Sequence, residues 1–66
     1  MYTLSFTNRL DEQTVQFFDD SSDAVNAAVY MQAMEGGYNT SGEWHYEIIN
    51  DKGHTVHEDE CMRHFD

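Results

Sequence analysis

The segments Tyr2–Thr7 and Glu43–Ile48 alternate strictly between apolar and polar side chains. Successive side chains of a β-strand point to opposite faces of its sheet, so this alternation predicts two strands that are buried on one face only. The side chains expected to face the core are the large apolar ones: Tyr2, Leu4, Phe6, Trp44, Tyr46 and Ile48.

The first of these strands is followed by a second candidate strand. Asn8–Glu12 is polar and is expected to turn, and Thr14–Phe18 is rich in residues that favour β structure. Val15 and Phe17 are expected to face inward, which would turn Phe18 outward.

A second hairpin is predicted near the end of the chain. Asn50–Gly53 has the composition of a tight turn, and its glycine suits the left-handed conformation that follows a type I turn. His54–Asp59 is expected to return as a strand with Val56 facing inward. Three alternatives stay open for residues 60–66: an extension of this strand, one helical turn, or a loosely ordered tail.

Between the two predicted hairpins, the apolar residues recur at the spacing of a helix instead of at every second position. Ala24–Glu35 is rich in residues that favour helix, its N-cap is expected near Ser21 or Ser22, and Gly36 and Gly37 are expected to end it. The face turned toward the sheet is predicted to consist of Ala24, Ala27, Ala28, Met31 and Met34, with Val25 at its edge. Tyr38–Gly42 is the predicted connecting loop.

Together these elements predict one small domain over residues 1–66, of the α+β class. Its expected architecture is ββαββ, a four-stranded antiparallel sheet with one helix on one face and the strand order 2-1-3-4. A chain of 66 residues buries only about 60% of its unfolded surface. Nine aromatic residues supply the core, and the single Cys61 excludes a disulfide within the chain.

One helix covers one face of such a sheet and leaves the other bare. Antiparallel sheets tolerate a solvated face, so plain surface is one interpretation. An interface, including a homodimer, is the other, because Phe18 and Ile49 are apolar. The residues predicted on the bare face are Thr3, Ser5, Thr7, Thr14, Gln16, Phe18, Glu43, His45, Glu47, Ile49, Thr55, His57 and Asp59.

The charge of the chain is strongly negative, with 13 acidic residues, three basic residues and a net charge of −10. This balance disfavours direct binding to nucleic acid and to anionic membranes, and it attracts basic protein surfaces. Helix capping explains only some of the acids near residue 20. The acids predicted to bind a partner are Asp19, Asp20, Asp23, Glu43, Glu47, Glu58, Asp59 and Glu60.

Four potential metal ligands lie near the end of the chain, namely His54, His57, Cys61 and His64. Zinc and nickel accept these residue types. The spacing would place them on one side of a helix, whereas Thr55 and Val56 favour a strand. A metal-binding regulator is therefore a less favoured hypothesis, and no cofactor is expected.

No enzymatic activity is expected, because a domain of this size has little room for a pocket that excludes water. The first residues lack the basic start and apolar run of a secretory signal, and no stretch of about 20 apolar residues could span a membrane. With a single cysteine, the chain is expected in the cytoplasm.

In size, in its ββαββ pattern and in its runs of acids, the chain resembles the small acidic proteins that phages and other mobile elements carry against host defence. Anti-CRISPR and anti-restriction proteins are examples. The resemblance covers the whole chain without a residue-level motif. It implies an inhibitor in the host cytoplasm that occupies the nucleic-acid-binding surface of a CRISPR or restriction complex, as a nucleic-acid mimic.

Overall fold

The computed structural model describes residues 1–36 and 43–61, which form four strands and one helix. The elements are β1 (Tyr2–Thr7), β2 (Gln13–Phe18), α1 (Ser21–Met34), β3 (Trp44–Ile49) and β4 (Thr55–Cys61). The strands form one antiparallel sheet in the order β2-β1-β3-β4. This confirms the predicted α+β class and strand order. The predicted loop at Tyr38–Gly42 lies outside the described residues.

The core lies between α1 and one face of the sheet. Phe6 stacks against Trp44 and Tyr46, with ring centroids 6.0 Å and 5.9 Å apart. Leu4 and Ile48 fill the core beside these rings and are fully buried. The alternation in β1 and β3 therefore predicted the buried residues of these two central strands correctly.

The inner face of α1 is made of small residues. Ala24 and Ala28 are buried against the sheet, where a larger side chain would hold the helix away. Met34, predicted on this face, is exposed, because at 100° per residue it lies about 120° around the helix from Ala28. No helix within residues 1–36 and 43–61 has the length and apolar character needed to cross a membrane.

The helix begins earlier than predicted, with Asp20 rather than Ser21 or Ser22 as its N-cap. Asp20 has an extended backbone, and its carboxylate accepts a hydrogen bond from the backbone N–H of Ser22 at 3.4 Å. Gly36 follows the helix with φ of 93°, a conformation that glycine adopts without strain. One of the acids near the helix start therefore has a structural role.

The orientation predicted for β2 was wrong. Tyr2 lies directly opposite Phe18, and residues paired in this way share one face of the sheet. Phe18 is therefore half-buried against the core, while Val15 and Phe17 are exposed on the other face.

The first turn causes this orientation. The N–H of Asn8 donates to the carbonyl oxygen of Glu12 at 3.0 Å, and Asp11 takes the left-handed position with φ of 64°. The side-chain oxygen of Asn8 accepts from the N–H groups of Leu10 and Glu12. Glu12 is thus fixed opposite Asn8, which sets the register of the whole hairpin.

The second turn has the same geometry and confirms the prediction for Asn50–Gly53. The N–H of Asn50 donates to the carbonyl oxygen of His54 at 3.0 Å, and Gly53 has φ of 79°. The side-chain oxygen of Asn50 accepts from the N–H groups of Lys52 and His54.

A β-bulge lies early in β4. Ile49 is opposite Thr55, but the next residue of β3, Ile48, is opposite His57. Val56 is therefore the extra residue of the bulge, and it is exposed rather than turned inward as predicted. Every later residue of β4 faces the opposite side from the one expected without a bulge.

The bulge also corrects the predicted bare face. His57 and Asp59 lie on the helix side of β4, where the Nε2 atom of His57 is 3.1 Å from the hydroxyl of Tyr46. Glu58 and Glu60 face the bare side instead. Glu60 and Cys61 are the last residues of β4, so of the alternatives for residues 60–66 these two follow the extension of the strand. Residues 62–66 lie outside the described part of the chain.

Candidate functional site: an acidic groove on the bare face of the sheet

The bare face, which is turned away from α1, carries three rows of side chains that cross the sheet from β2 to β4. The first row is Phe17, Thr3, Ile49 and Thr55. The second is Val15, Ser5, Glu47 and Glu58, and the third is Gln13, Thr7, His45 and Glu60. Apolar side chains therefore occupy the β2 side of this face, and carboxylates occupy the β4 side.

A groove with a volume of about 560 Å³ lies on this face, and we call it the acidic groove. Its floor is polar and its β4 side is negatively charged. The side chain of Gln13 crosses the floor and donates to the hydroxyl of Ser5 at 2.6 Å. The lining residues are Ser5, Thr7, Gln13, His45, Glu47, Glu58, Asp59 and Glu60.

Two carboxylates face each other across neighbouring strands in the acidic groove. Glu47 lies directly opposite Glu58, a position in which Cβ atoms are about 4.5–5.5 Å apart. The hydroxyl of Thr55 donates to Glu47 at 3.4 Å. His45 lies opposite Glu60 and, in the described part of the chain, is the one imidazole that lines the groove.

The basic residues that the structure describes do not neutralise this cluster. Within residues 1–36 and 43–61, no Lys or Arg side chain forms an ion pair with Glu47, Glu58 or Glu60. Arg9 lies in the first turn, where its backbone N–H donates to the Glu35 carboxylate at 2.9 Å. The α-amino group of Met1 forms an ion pair with the carboxylate of Asp51, which lies in the second turn, at 2.8 Å.

The structure brings only some of the predicted acids together. Glu47, Glu58 and Glu60 project into the groove. Asp59 is half-buried at its wall, where its carboxylate accepts from the N–H of Glu60 at 2.8 Å. Glu43 is exposed just before β3.

The remaining predicted acids form a separate cluster at the start of α1. Asp19, Asp20 and Asp23 follow the end of β2, beside Phe18, while Glu60 lies near the other end of the sheet. β2 and β4 are also three strand spacings apart, about 14 Å. The two acidic clusters therefore occupy diagonally opposite corners of the molecule.

The predicted apolar interface changes in composition. Ile49 lies on the bare face as expected and is half-buried, whereas Phe18 belongs to the core side. The sequence interpretation missed Val15 and Phe17, which are the large exposed apolar residues of this face. The length of the turn Asn8–Glu12 was the signal that could have revealed them. With five residues in this turn, Val15 lies opposite Ser5 and Phe17 opposite Thr3, on the bare face.

The metal hypothesis gains no additional support from the geometry. Among residues 1–36 and 43–61, no group of three His, Cys, Asp or Glu side chains is arranged to hold a metal ion. His54 precedes β4, while His57 and Cys61 lie on its helix side. The fourth predicted ligand, His64, lies outside the described residues.

The groove is chemically suited to cations that carry several N–H donors. Glu47, Glu58 and Glu60 each offer carboxylate oxygens, which accept strong hydrogen bonds from guanidinium and ammonium groups.

Comparison with known proteins assigns no family to this chain, since no protein-family model, no curated protein and no solved structure matches it.

Proposed function

We propose that the chain is a non-enzymatic inhibitor that docks its acidic groove on the basic, nucleic-acid-binding surface of a protein partner. The observation that carries this proposal is the cluster of Glu47, Glu58 and Glu60, which no described basic side chain neutralises. A CRISPR or restriction complex in a host cytoplasm is the kind of partner that we favour.

The arrangement of the acids supports a functional role beyond solubility. Like charges directly opposite each other on neighbouring strands destabilise a sheet, and Glu47 and Glu58 hold such positions. Solubility requires a charge of only about 2 to 8 for a small domain, and it requires no particular placement. A binding role for the negative potential accounts for the position of these two acids opposite each other.

The shape of the site favours long basic side chains as the bound groups. Lys and Arg residues line the surfaces that hold nucleic acid, and they extend far enough to enter a shallow groove. The hydroxyls of Ser5 and Thr7 can accept further hydrogen bonds on the groove floor. The carboxylates would take the place of phosphates on such a surface.

The two acidic clusters contribute unequally in this proposal. The acidic groove makes the principal contact, because its carboxylates converge on one concavity. Asp19 and Asp23 lie at the opposite corner and add long-range attraction. Asp20 caps the N-terminus of α1, so it has a structural role instead.

A comparison of two triple variants tests the proposal. The groove variant is Glu47→Gln, Glu58→Gln and Glu60→Gln. The control is Asp11→Asn, Asp19→Asn and Asp23→Asn. Each set removes three negative charges, so both variants change from −10 to −7.

Each variant and the parent chain would be immobilised, exposed to a bacterial host lysate and eluted with a salt gradient. We expect the parent to retain a nucleic-acid-binding protein that salt or competing nucleic acid releases, since exposed charge pairs are screened by salt. The groove variant should lose this protein at least tenfold more than the control variant. Equal retention by all three chains would contradict the proposal, and equal losses in the two variants would show that net charge acts without the groove.

A further inference from the structure

The two edges of the sheet differ in their protection against pairing with another strand. β4 carries three consecutive acids, Glu58, Asp59 and Glu60, and a bulge at Val56. Charges and bulges are both features that discourage pairing at an edge. β2 has neither, since Gln13–Phe18 contains no charged residue and pairs with β1 without interruption.

The backbone groups on the outer side of β2 are regularly spaced. Opposite residues of an antiparallel pair alternate between hydrogen-bonded and non-bonded positions, and the Asn8–Glu12 pair at the turn is bonded. Counting from this pair, Thr14, Gln16 and Phe18 direct their N–H and C=O groups toward β1. The groups of Gln13, Val15 and Phe17 therefore point outward, away from the sheet.

Apolar surface flanks this edge on both faces of the sheet. On the bare face, Val15 is 50% exposed and Phe17 is 65% exposed. On the helix face, Met34 is 67% exposed and borders a small cavity together with Thr14. Within residues 1–36 and 43–61, no other strand pairs with this row of donors and acceptors. Solvent-exposed apolar side chains beside such a row are features of a strand that pairs.

We propose that β2 is the pairing edge of a homodimer, in which two copies of the chain join their sheets into one antiparallel sheet of eight strands. A two-fold axis perpendicular to the sheet passes beside Val15, which lies opposite the same residue of the second copy. Gln13 then lies opposite Phe17 of the other chain. This register satisfies all outward N–H and C=O groups of both strands and keeps the bare faces on the same side.

A second copy fits this edge better than a charged segment does. β2 has no charge with which to select a basic or an acidic strand, and its antiparallel pairing is self-complementary. The Glu58 and Glu60 carboxylates of the two copies also stay apart, because the two β4 strands become the outer edges of the joined sheet. At about 4.8 Å per strand they would be about 34 Å apart, well beyond the Debye length of about 8 Å at physiological salt.

Sedimentation velocity of the full chain over a range of concentrations tests the dimer. The expected result is a species of twice 7.7 kDa whose fraction increases with concentration. The fraction should also increase with salt, because two chains of net charge −10 repel each other and salt screens this repulsion. A single monomeric species at all concentrations, or open-ended aggregates in place of a dimer, would overturn the proposal.

A matched pair of variants locates the interface. Val15→Lys places two like charges opposite each other at the proposed two-fold axis and should reduce dimer formation at least tenfold. Val29→Lys is the control, because Val29 is also 50% exposed but lies on α1. Equal dimerisation of both variants would show that β2 is not the interface.

Hydrogen exchange of the unaltered chain gives a readout that does not depend on any variant. The amides of Thr14, Gln16 and Phe18 should be protected at every concentration, because they bond to β1. The amides of Gln13, Val15 and Phe17 should become protected only at concentrations where the dimer forms. Fast exchange of these three amides in the dimer would contradict edge pairing.

This dimer and the acidic groove can fail independently. The groove residues Glu58 and Glu60 lie on the strand farthest from β2, so pairing at β2 leaves them exposed. Salt also acts in opposite directions, since it promotes the dimer and weakens docking on a basic partner. Neither result therefore substitutes for the other.

Discussion

Glu47 and Glu58 lie directly opposite each other on β3 and β4, on the face of the sheet that the helix does not cover. Repulsion between them makes the folded state less stable than it would be with one neutral partner. The same proximity concentrates negative potential in the groove. We therefore expect stability and partner binding to respond in opposite directions when this pair is changed.

Glu58→Gln removes the repulsion and keeps the size of the side chain. We expect the free energy of unfolding to increase by about 0.2–1 kcal/mol, measured by urea denaturation. The gain should decrease in 1 M salt, where the Debye length is about 3 Å. Glu43→Gln is the control for net charge, because Glu43 is exposed and lies outside the strands. If both variants gain equally, the cross-strand pair is not the cause.

Asp11→Gly should stabilise the first hairpin. Asp11 has φ of 64°, and glycine adopts this region without the steric penalty of a side chain. The expected gain is about 0.5–1 kcal/mol in the free energy of unfolding, because the greater freedom of glycine in the unfolded chain offsets part of the relieved strain. Asp11→Asn removes the same charge but keeps a side chain, so it should gain less. A variant with glycine that is no more stable than the asparagine variant would contradict this account of the turn.

Gly53→Ala tests the same left-handed conformation in the second turn, where the substitution is expected to lower stability rather than raise it. A Cβ atom at residue 53 would meet no atom of residues 1–36 and 43–61 within 4 Å, so the expected strain comes from the left-handed backbone. We expect a loss of about 1–2 kcal/mol in the free energy of unfolding. An unchanged midpoint in urea would argue against a strained turn.

Ala28→Leu should force the helix away from the sheet. Ala28 is fully buried, and extra methylene groups in a packed core destabilise by about 1–3 kcal/mol. Ala33→Leu is the matched control on the exposed side of the same helix, where the change is expected to stay within about 0.5 kcal/mol. Thermal unfolding of the two variants would distinguish them, and similar midpoints would contradict the packing described for α1.

Asp20 should behave as a structural acid rather than a binding acid. Asp20→Ala removes the helix cap and is expected to lower the free energy of unfolding by about 1 kcal/mol, whereas Asp20→Asn can cap equally well. Asp19→Ala should have little effect on stability. Equal losses for Asp20→Ala and Asp20→Asn would show that charge at the helix start matters more than the hydrogen bond.

The sequence predicted the class, the strand order and the central strands, because β1 and β3 have large apolar side chains at every second position. It failed for β2, since Val15, Phe17 and Phe18 allow either face to be buried. The deciding information lies in the preceding turn. There an aspartate occupies the left-handed position that a glycine marks in the second turn.

The acidic groove could be predicted only in part for a similar reason. Glu47 follows from the alternation in β3. The face on which Glu58 and Glu60 lie depends on the bulge at Val56. The valine itself does not indicate a bulge, because valine also favours regular strands. A bulge results from how two strands fit together, so no local pattern in β4 indicates it.

The bulge means that the charge of each face depends on how β4 is paired as well as on which residues it contains. A chain lacking Val56 could place Thr55 opposite Ile49 and His57 opposite Ile48 without a bulge, and every acid of β4 would keep its side. A regular strand that kept Val56 would instead place it opposite Ile48 and turn every later residue over, with Glu58 and Glu60 toward the helix and Cys61 away from Trp44. Loss of the bulge would thus reverse the electrostatic polarity of the sheet without altering the sequence or the net charge. A single unpaired residue therefore decides which face of the sheet is acidic.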